Sequence, residues 1–228
     1  MNTINERSNI KLMTDELHKA FEIVNRKFYN NELPMPAITI QSSGKRTLAM
    51  GWCTSSPIWG DKQGEQRMYE INLSAEYIDV SFIETMDTLM HEMVHLYNLI
   101  KGIQDVSRNG TYHNKKFKEQ ALKSGFIHPA DKPDKKYGYS FVKLSPTTIA
   151  ILNELDINQS VFSIGRKTND YFQNLTDGKN NDESDEVKSK TKGFRWICPN
   201  CNMILRSSKP NLNIICGDCQ IRLVHEEK

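Results

Sequence analysis

Apolar and polar positions follow helix and strand periods along the first three quarters of the chain. Helices are predicted over 14–30, 82–101, about 114–124 and about 146–155, with Thr14 and Ser145 as the N-caps of the first and the last. Short strands are predicted over 37–41, 47–53, 69–73 and 160–164, and a loop over 54–66. This mixture indicates an α+β domain with a small sheet.

The helix predicted over 82–101 has the clearest local signals. Ser81 and Glu84 form the S-x-x-E pattern of a capping box, and Gly102 is placed to end the helix. Apolar residues cover nearly every side of it, so we expect it to be buried at the centre of the domain.

A polar segment over 176–193 divides the chain. Its only apolar residue is Val187, and such a sequence cannot bury a core, which predicts a flexible linker. We expect a first domain over 1–175, with its core at about 14–126, and a small cysteine-bearing module over 194–228.

Composition narrows the class of protein. The chain has 228 residues, 38% of them hydrophobic, and a net charge of +2, which excludes a wholly disordered chain and does not indicate a strongly basic coat for nucleic acid. No segment approaches about 18 consecutive apolar residues, and the first residues lack the apolar stretch of a secretory signal. We therefore expect a cytoplasmic protein with no membrane segment.

The central helix carries the pattern H-E-x-x-H at His91, Glu92 and His95. Histidines four residues apart lie one helical turn apart on one side and can bind one metal ion, while Glu92 can reach a water bound to that ion. The alternative is a pair of core histidines satisfied by hydrogen bonds, but burying two histidines and a carboxylate is costly. The pattern predicts a catalytic zinc ion.

Such a zinc site needs a third protein ligand and an open position for water. His113 is favoured because it lies on the same side of the following helix as Phe117, which faces the core. The other candidates are His128, Glu119 and Asp105.

Four of the five cysteines form two C-x-x-C pairs, Cys198 with Cys201 and Cys216 with Cys219. The 14 residues between the pairs fall just short of the about 15–20 usual for a four-cysteine zinc site. Four thiolates close the coordination shell, so we expect a structural zinc ion in a zinc ribbon; a redox role is the alternative. Cys53 stands alone, and we expect a buried structural thiol that binds nothing.

Two surfaces are candidates for macromolecular contacts. Lys135, Lys136, Tyr137 and Tyr139 lie in a basic segment with interleaved aromatic residues that also includes Phe141, a composition suited to single-stranded DNA. The alternative is a solvated face with core aromatics. The strand over 69–73 could offer an exposed edge to which an extended protein substrate adds as a further strand.

Four segments together carry a resemblance to a known family: ELPMPAITI at 32–40, EINLSAEYI at 70–78, ETMDTLMHEMVHLY at 84–97 and YHNKKFK at 112–118. The chain resembles the SprT-like (Spartan-type) zinc metalloproteases over about 14–126 and at the terminal ribbon. The resemblance implies a zincin-like protease fold, zinc held by His91, His95 and His113, and Glu92 as general base. It also implies protein substrates recruited by DNA, as in the cleavage of DNA–protein crosslinks. The rival hypothesis is a non-catalytic zinc-containing adaptor that binds DNA or protein.

Overall fold

A computed structural model describes residues 10–42, 49–130, 132–167, 171, 194–207, 209 and 211–225. The chain divides into two units, Met1–Phe172 and Gln173–Lys228. The linker predicted over 176–193 lies outside the described residues.

Four α-helices are present in the described part of the first unit: α1 (Ile10–Tyr29), α2 (Phe82–Ile100), α3 (Lys115–Lys123) and α4 (Pro146–Asn153). Helix α1 begins four residues before Thr14, whose hydroxyl donates to the Ile10 carbonyl inside the helix instead of capping it. Ser145 caps α4 as predicted and accepts from the Thr148 backbone N–H. None of the described helices is long and apolar enough to cross a bilayer.

Helix α2 forms the centre of this unit and matches its prediction closely. The Ser81 side chain accepts from the Glu84 backbone N–H, and the Glu84 carboxylate accepts from the Ser81 backbone N–H, which completes the capping box. Gly102 follows the helix at φ +66°, a left-handed conformation that favours glycine. Most of the apolar side chains of α2 lie in the main core.

Between α1 and α2 the described residues form five short strands: β1 (Ala37–Gln41), β2 (Gly51–Cys53), β3 (Trp59–Gly60), β4 (Arg67–Met68) and β5 (Glu70–Ser74). β5 is the middle strand of a three-stranded sheet, parallel to β1 and antiparallel to β2. All five of its residues are buried. The prediction of a free substrate-binding edge at 69–73 is therefore wrong. The predicted loop over 54–66 contains β3, which pairs with β4.

After α2 the described part of the first unit contains two antiparallel pairs of short strands: β6 (Val106–Ser107) with β7 (Tyr112–His113), and β8 (Phe126–Ile127) with β9 (Lys143–Leu144). The strand predicted over 160–164 is wrong, because a short 3-10 helix occupies Gln159–Val161. The Asn158 side chain accepts from the Ser160 backbone N–H and caps this turn.

The second unit contains the antiparallel strands β10 (Phe194–Ile197), β11 (Ile204–Ser207) and β12 (Val224–His225), with β10 in the middle. Trp196, Leu223 and two cysteine side chains, Cys198 and Cys216, form its buried core. Two of the four paired cysteines thus belong to the small core of this unit.

Candidate metal centres

Three histidine side chains converge beside α2. His91 and His95 lie one turn apart on the helix, and His113 reaches them from strand β7. The Nε2 atom of His113 lies 3.2 Å from Nε2 of His91 and 3.1 Å from Nε2 of His95. The pairing of His113 with Val106 in the β6–β7 hairpin turns the chain back toward α2.

The spacing of these nitrogens fits a tetrahedral zinc ion. Zinc binds imidazole nitrogen at about 2.0–2.1 Å, which places two tetrahedral ligand atoms about 3.3–3.4 Å apart. Three such ligands would leave one position for a water molecule or a substrate. The three-histidine group is therefore compatible with a catalytic type of zinc site.

The Phe117 ring packs against all three imidazoles. Its centroid lies 4.8 Å from that of His91, 4.8 Å from that of His95 and 4.5 Å from that of His113, and its side chain has no exposed surface. The spacing in the sequence predicted that His113 and Phe117 share a face, although His113 lies in a strand and not at the start of α3. The Phe117 ring thus limits the side-chain movement of all three candidate ligands.

Asp105 orients His95. The Nδ1 atom of His95 lies 2.8 Å from Oδ2 of Asp105, and the Asn98 side chain donates to the same oxygen at 2.9 Å. Burial is the largest single effect and lowers the pKa of His95, but the Asp105 hydrogen bond and the negative charges of Glu92 and Asp105 together raise it above its usual value. A carboxylate behind a metal-binding histidine fixes the ring orientation and leaves Nε2 free for the metal. Asp105, a candidate ligand in the sequence, is a supporting residue.

The other two histidines are favoured as neutral rings. Burial lowers the pKa of His91 well below its usual value, and the neighbouring His95 and His113 lower it further. Burial and His95 lower the pKa of His113 to about 4, against weaker opposing effects of the Asp105 charge and of the backbone at Tyr137 and Thr111. A neutral imidazole has the free lone pair that a metal ligand needs.

Glu92 is buried beside this group without being part of it. The backbone N–H of Cys53 in β2 donates to its carboxylate. Burial raises the pKa of Glu92 to about 7, although His95 and the Cys53 N–H favour the charged form. A buried carboxyl group thus lies next to the three histidines but outside their group.

Gly51 allows β2 to approach Glu92 this closely. A Cβ at this position would lie 2.8 Å from the Asn72 carbonyl oxygen, 3.0 Å from Thr88 and 3.3 Å from Glu92. A side chain there would push β2 away from α2 and weaken the Cys53 contact with Glu92.

The remaining candidate ligands lie elsewhere. His128 has its Nδ1 atom at the Ala130 carbonyl oxygen and its ring against Tyr139. Glu119 is exposed on α3. Neither belongs to a group of potential metal ligands among the described residues.

The second candidate metal centre is the group of Cys198, Cys201, Cys216 and Cys219. The sulfur atoms of Cys201 and Cys216 are 3.6 Å apart, close to the about 3.8 Å expected between thiolates bound to zinc at about 2.3 Å. Backbone N–H groups of Cys201 and Asn200 lower the pKa of Cys198 to about 7, which favours the thiolate.

The two C-x-x-C segments have the same backbone design. The first cysteine of each donates its N–H to a carbonyl five residues on, Cys198 to Met203 and Cys216 to Ile221, both at 2.9 Å. Each turn also contains a non-glycine residue with positive φ, Asn202 in one and Gln220 in the other. The repeated geometry directs two pairs of sulfur atoms toward one point.

Cys53 is a member of neither group. Its side chain is half-buried and not fully buried as predicted, and its thiol contacts the Thr54 carbonyl oxygen at 3.6 Å. Burial raises the pKa of this thiol, so it is a poor thiolate donor.

The basic segment after α3 is only partly open. Tyr139 is 8% exposed, with the Lys118 ammonium 4.9 Å from its ring centroid and His128 against it, so it offers no open face for a base. Its proposed role as a stacking residue is therefore removed. Phe141 is 55% exposed, and its ring meets that of Tyr137 edge to face at 5.7 Å.

Arg108 also belongs to this surface, although it was not among the residues predicted for it. Its guanidinium donates to the Lys135 carbonyl oxygen at 2.8 Å and lies 4.5 Å from the Tyr112 ring centroid. Arg108 is 27 residues from Lys135 in the sequence, so no local pattern links them. We call Arg108, Lys135, Lys136, Tyr137 and Phe141 the basic surface.

The fold and the three-histidine group define an α+β protein with a candidate metal centre. The SprT-like family model matches residues 17–136, more than half of the chain, and the chain belongs to this family. Membership suggests an enzyme of the metalloprotease type. Neither a curated protein nor a solved structure gives a match to the chain.

We expect the intact chain to bind two zinc ions, one in each group. His95→Ala and Cys216→Ser should each reduce the zinc content, measured by elemental analysis, to one ion per chain. His128→Ala is the matched control and should retain two, because His128 lies outside both groups. One zinc ion in the wild type and in both variants would contradict the assignment of two centres.

Replacement of Asp105 should weaken metal binding without removing a ligand. Asp105→Ala should lower the zinc affinity of the three-histidine group by about 10–100-fold, the usual effect of losing such a partner. Asp105→Asn should lose less zinc affinity, because the amide oxygen can still accept a hydrogen bond from His95 Nδ1. Competition with a chelator measures both, with the cysteine-bound ion as internal reference. An unchanged affinity in Asp105→Ala would contradict the orienting role.

Proposed function

We propose that this protein is a zinc-dependent endopeptidase with a zincin-like domain and a zinc ribbon. The observation that carries the proposal is Glu92, which is buried beside the three-histidine group without belonging to it and accepts a hydrogen bond from the Cys53 N–H. Membership of the SprT-like family supports the same reaction class. The arrangement of the four cysteines as a group that could hold a metal ion supports a cytoplasmic site of action.

His91, His95 and His113 would hold the catalytic zinc ion. When bound there, zinc polarises the scissile carbonyl group and lowers the pKa of a bound water. The Glu92 carboxylate accepts a proton from the attacking water and then delivers it to the amine nitrogen of the leaving group. Asp105 holds the His95 ring in the orientation that this geometry needs.

The buried carboxylate favours catalysis over an adaptor role. Burying a charged group in a mostly apolar helix costs free energy unless its partners satisfy it. A purely structural zinc site has no use for Glu92, whereas a peptidase needs a base at this position. The four-cysteine group is the structural counterpart, because four thiolates leave no position for a substrate.

We also propose that single-stranded DNA binds at the basic surface. The Lys136 ammonium lies 4.7 Å from the Tyr137 ring centroid, and the exposed Phe141 ring lies next to Tyr137. Cations beside open aromatic rings are the usual means of binding single strands without sequence preference. The Tyr137 carbonyl oxygen accepts from the His113 N–H, so a bound strand would lie near the metal centre. Proteins crosslinked to DNA are therefore the substrate class that we propose.

Glu92→Gln tests the reaction. The amide keeps the shape of the side chain but cannot act as a base, so hydrolysis should fall by about 10²–10⁴-fold while two zinc ions remain bound. The assay uses labelled unfolded casein, with and without a single-stranded oligonucleotide. Glu119→Gln, at an exposed position on α3, is the matched control and should keep wild-type activity.

Two results would contradict the peptidase proposal. Full activity in Glu92→Gln would exclude Glu92 as the base. A wild type that holds both zinc ions but cleaves no protein, with or without DNA, would favour the adaptor in place of the enzyme.

Removal of two charges tests the DNA surface. Lys135→Gln with Lys136→Gln should weaken binding of a fluorescent single-stranded oligonucleotide and lower the salt slope of the affinity by about 0.7 for each phosphate that is no longer neutralised. The control, Arg26→Gln with Lys27→Gln, removes the same charge from exposed positions on α1. It should change neither the affinity for the oligonucleotide nor its salt slope. Equal weakening by both double variants would contradict a specific site.

A further inference from the structure

A loop that follows α3 supplies both backbone hydrogen bonds of His113. The His113 N–H donates to the Tyr137 carbonyl oxygen at 3.0 Å, and the His113 carbonyl oxygen accepts from the Tyr139 N–H at 2.9 Å. We call Asp134–Tyr139 the clamp loop. The third histidine is thus held on one side by β6 and on the other by a segment more than 20 residues later in the chain.

Gly138 allows the clamp loop to lie directly against His113. Its φ is +67°, and a Cβ there would lie 2.0 Å from the His113 carbonyl oxygen and 3.0 Å from its carbonyl carbon. These are backbone atoms and cannot rotate away as a flexible side chain could. Any side chain at this position must therefore separate the loop from His113.

Asp134 closes the clamp loop on itself. Its backbone exchanges two hydrogen bonds with Gly138, at 2.8 and 3.0 Å. Its carboxylate accepts from the backbone N–H groups of Lys136 and Tyr137, both at 2.7 Å. The Arg108 bond to the Lys135 carbonyl oxygen adds a tie to the β6–β7 hairpin. These bonds fix the loop in the shape that presents Tyr137 and Tyr139 to His113.

We propose that the clamp loop is the positioning element of the third ligand and sets how long zinc stays in the three-histidine group. This inference rests on the proposed function, because it assumes that His113 binds the catalytic zinc ion. His91 and His95 lie on a rigid helix, whereas His113 lies in a two-residue strand. The ligand with the least support from its own element depends most on outside contacts.

The residues of the clamp loop are not catalytic residues, since they act through His113. Asp134 is the best place to test this, because it is exposed and contributes nothing to the core. Asp134→Ala should release zinc from the three-histidine group to a chelator about 10-fold faster or more, within the range for supporting partners of metal ligands. Asp134→Asn retains an oxygen that accepts the two N–H bonds and should restore nearly wild-type release.

Gly138→Ala gives an independent measurement. It should lose the histidine-bound zinc ion while the cysteine-bound ion remains, so the zinc content of the full chain should fall from two to one. Gly102→Ala is the matched control, because Gly102 has nearly the same φ, +66°, and open space where a Cβ would be. It carries the same backbone strain without the contact with His113 and should keep both ions.

The outcomes separate this inference from the proposed function. If the wild type and both Asp134 variants release zinc at the same rate, the clamp-loop proposal is wrong and the peptidase proposal stands. If Asp134→Asn releases zinc as fast as Asp134→Ala does, the role assigned to the carboxylate oxygen is wrong. If the wild type binds no zinc at the histidines, both proposals fall. If Gly138→Ala does not fold, the zinc-release rates of Asp134→Ala and Asp134→Asn decide whether the clamp-loop proposal holds.

Discussion

The first unit depends on the need to satisfy polar groups on a buried helix. Helix α2 packs apolar side chains on nearly all sides. It also places three polar side chains, those of Glu92, His95 and Asn98, in a largely buried environment. Such groups are costly in a core unless each one has a partner. The neighbouring segments supply them: the backbone of Cys53 reaches Glu92, and Asp105 binds both His95 and Asn98. Hydrogen bonds to α2 therefore help to place the sheet edge and the segment after α2, in addition to the burial of apolar surface.

Features with local signals could be predicted from the sequence. The start and end of α2 follow from a capping box and a glycine within a few residues of the helix, and both are present. The two C-x-x-C turns are equally local, and the structure brings the four cysteines together. His113 could be singled out because it lies four residues before Phe117, and its ring does pack on Phe117. In each case the information lies within one turn or one tight loop.

Features that depend on distant partners could not be predicted in this way. Glu70 and Asn72 alternate with apolar residues as though one face of β5 met water, but both are buried. Trp59 donates to the Glu70 carboxylate at 2.7 Å, and Asn72 accepts from Thr39 and from the Gln41 backbone N–H. A polar face covered by polar partners has the same sequence pattern as one covered by solvent. The same limit explains Asp105, whose value as a partner appears only when the segment after α2 folds back on His95.

The clamp loop also bears on where this domain ends. The family match stops at residue 136, inside the loop, between the residue that closes it and the two that reach His113. A fragment cut at that boundary would contain all three histidines and Glu92, but it would lack Tyr137, Gly138 and Tyr139. Both backbone groups of His113 would then lose their partners, although every residue of the recognised motif was present. If the clamp loop positions His113 as proposed, an intact metal site needs residues beyond the matched span, and inactivity of the shorter fragment would not test the proposed peptidase activity.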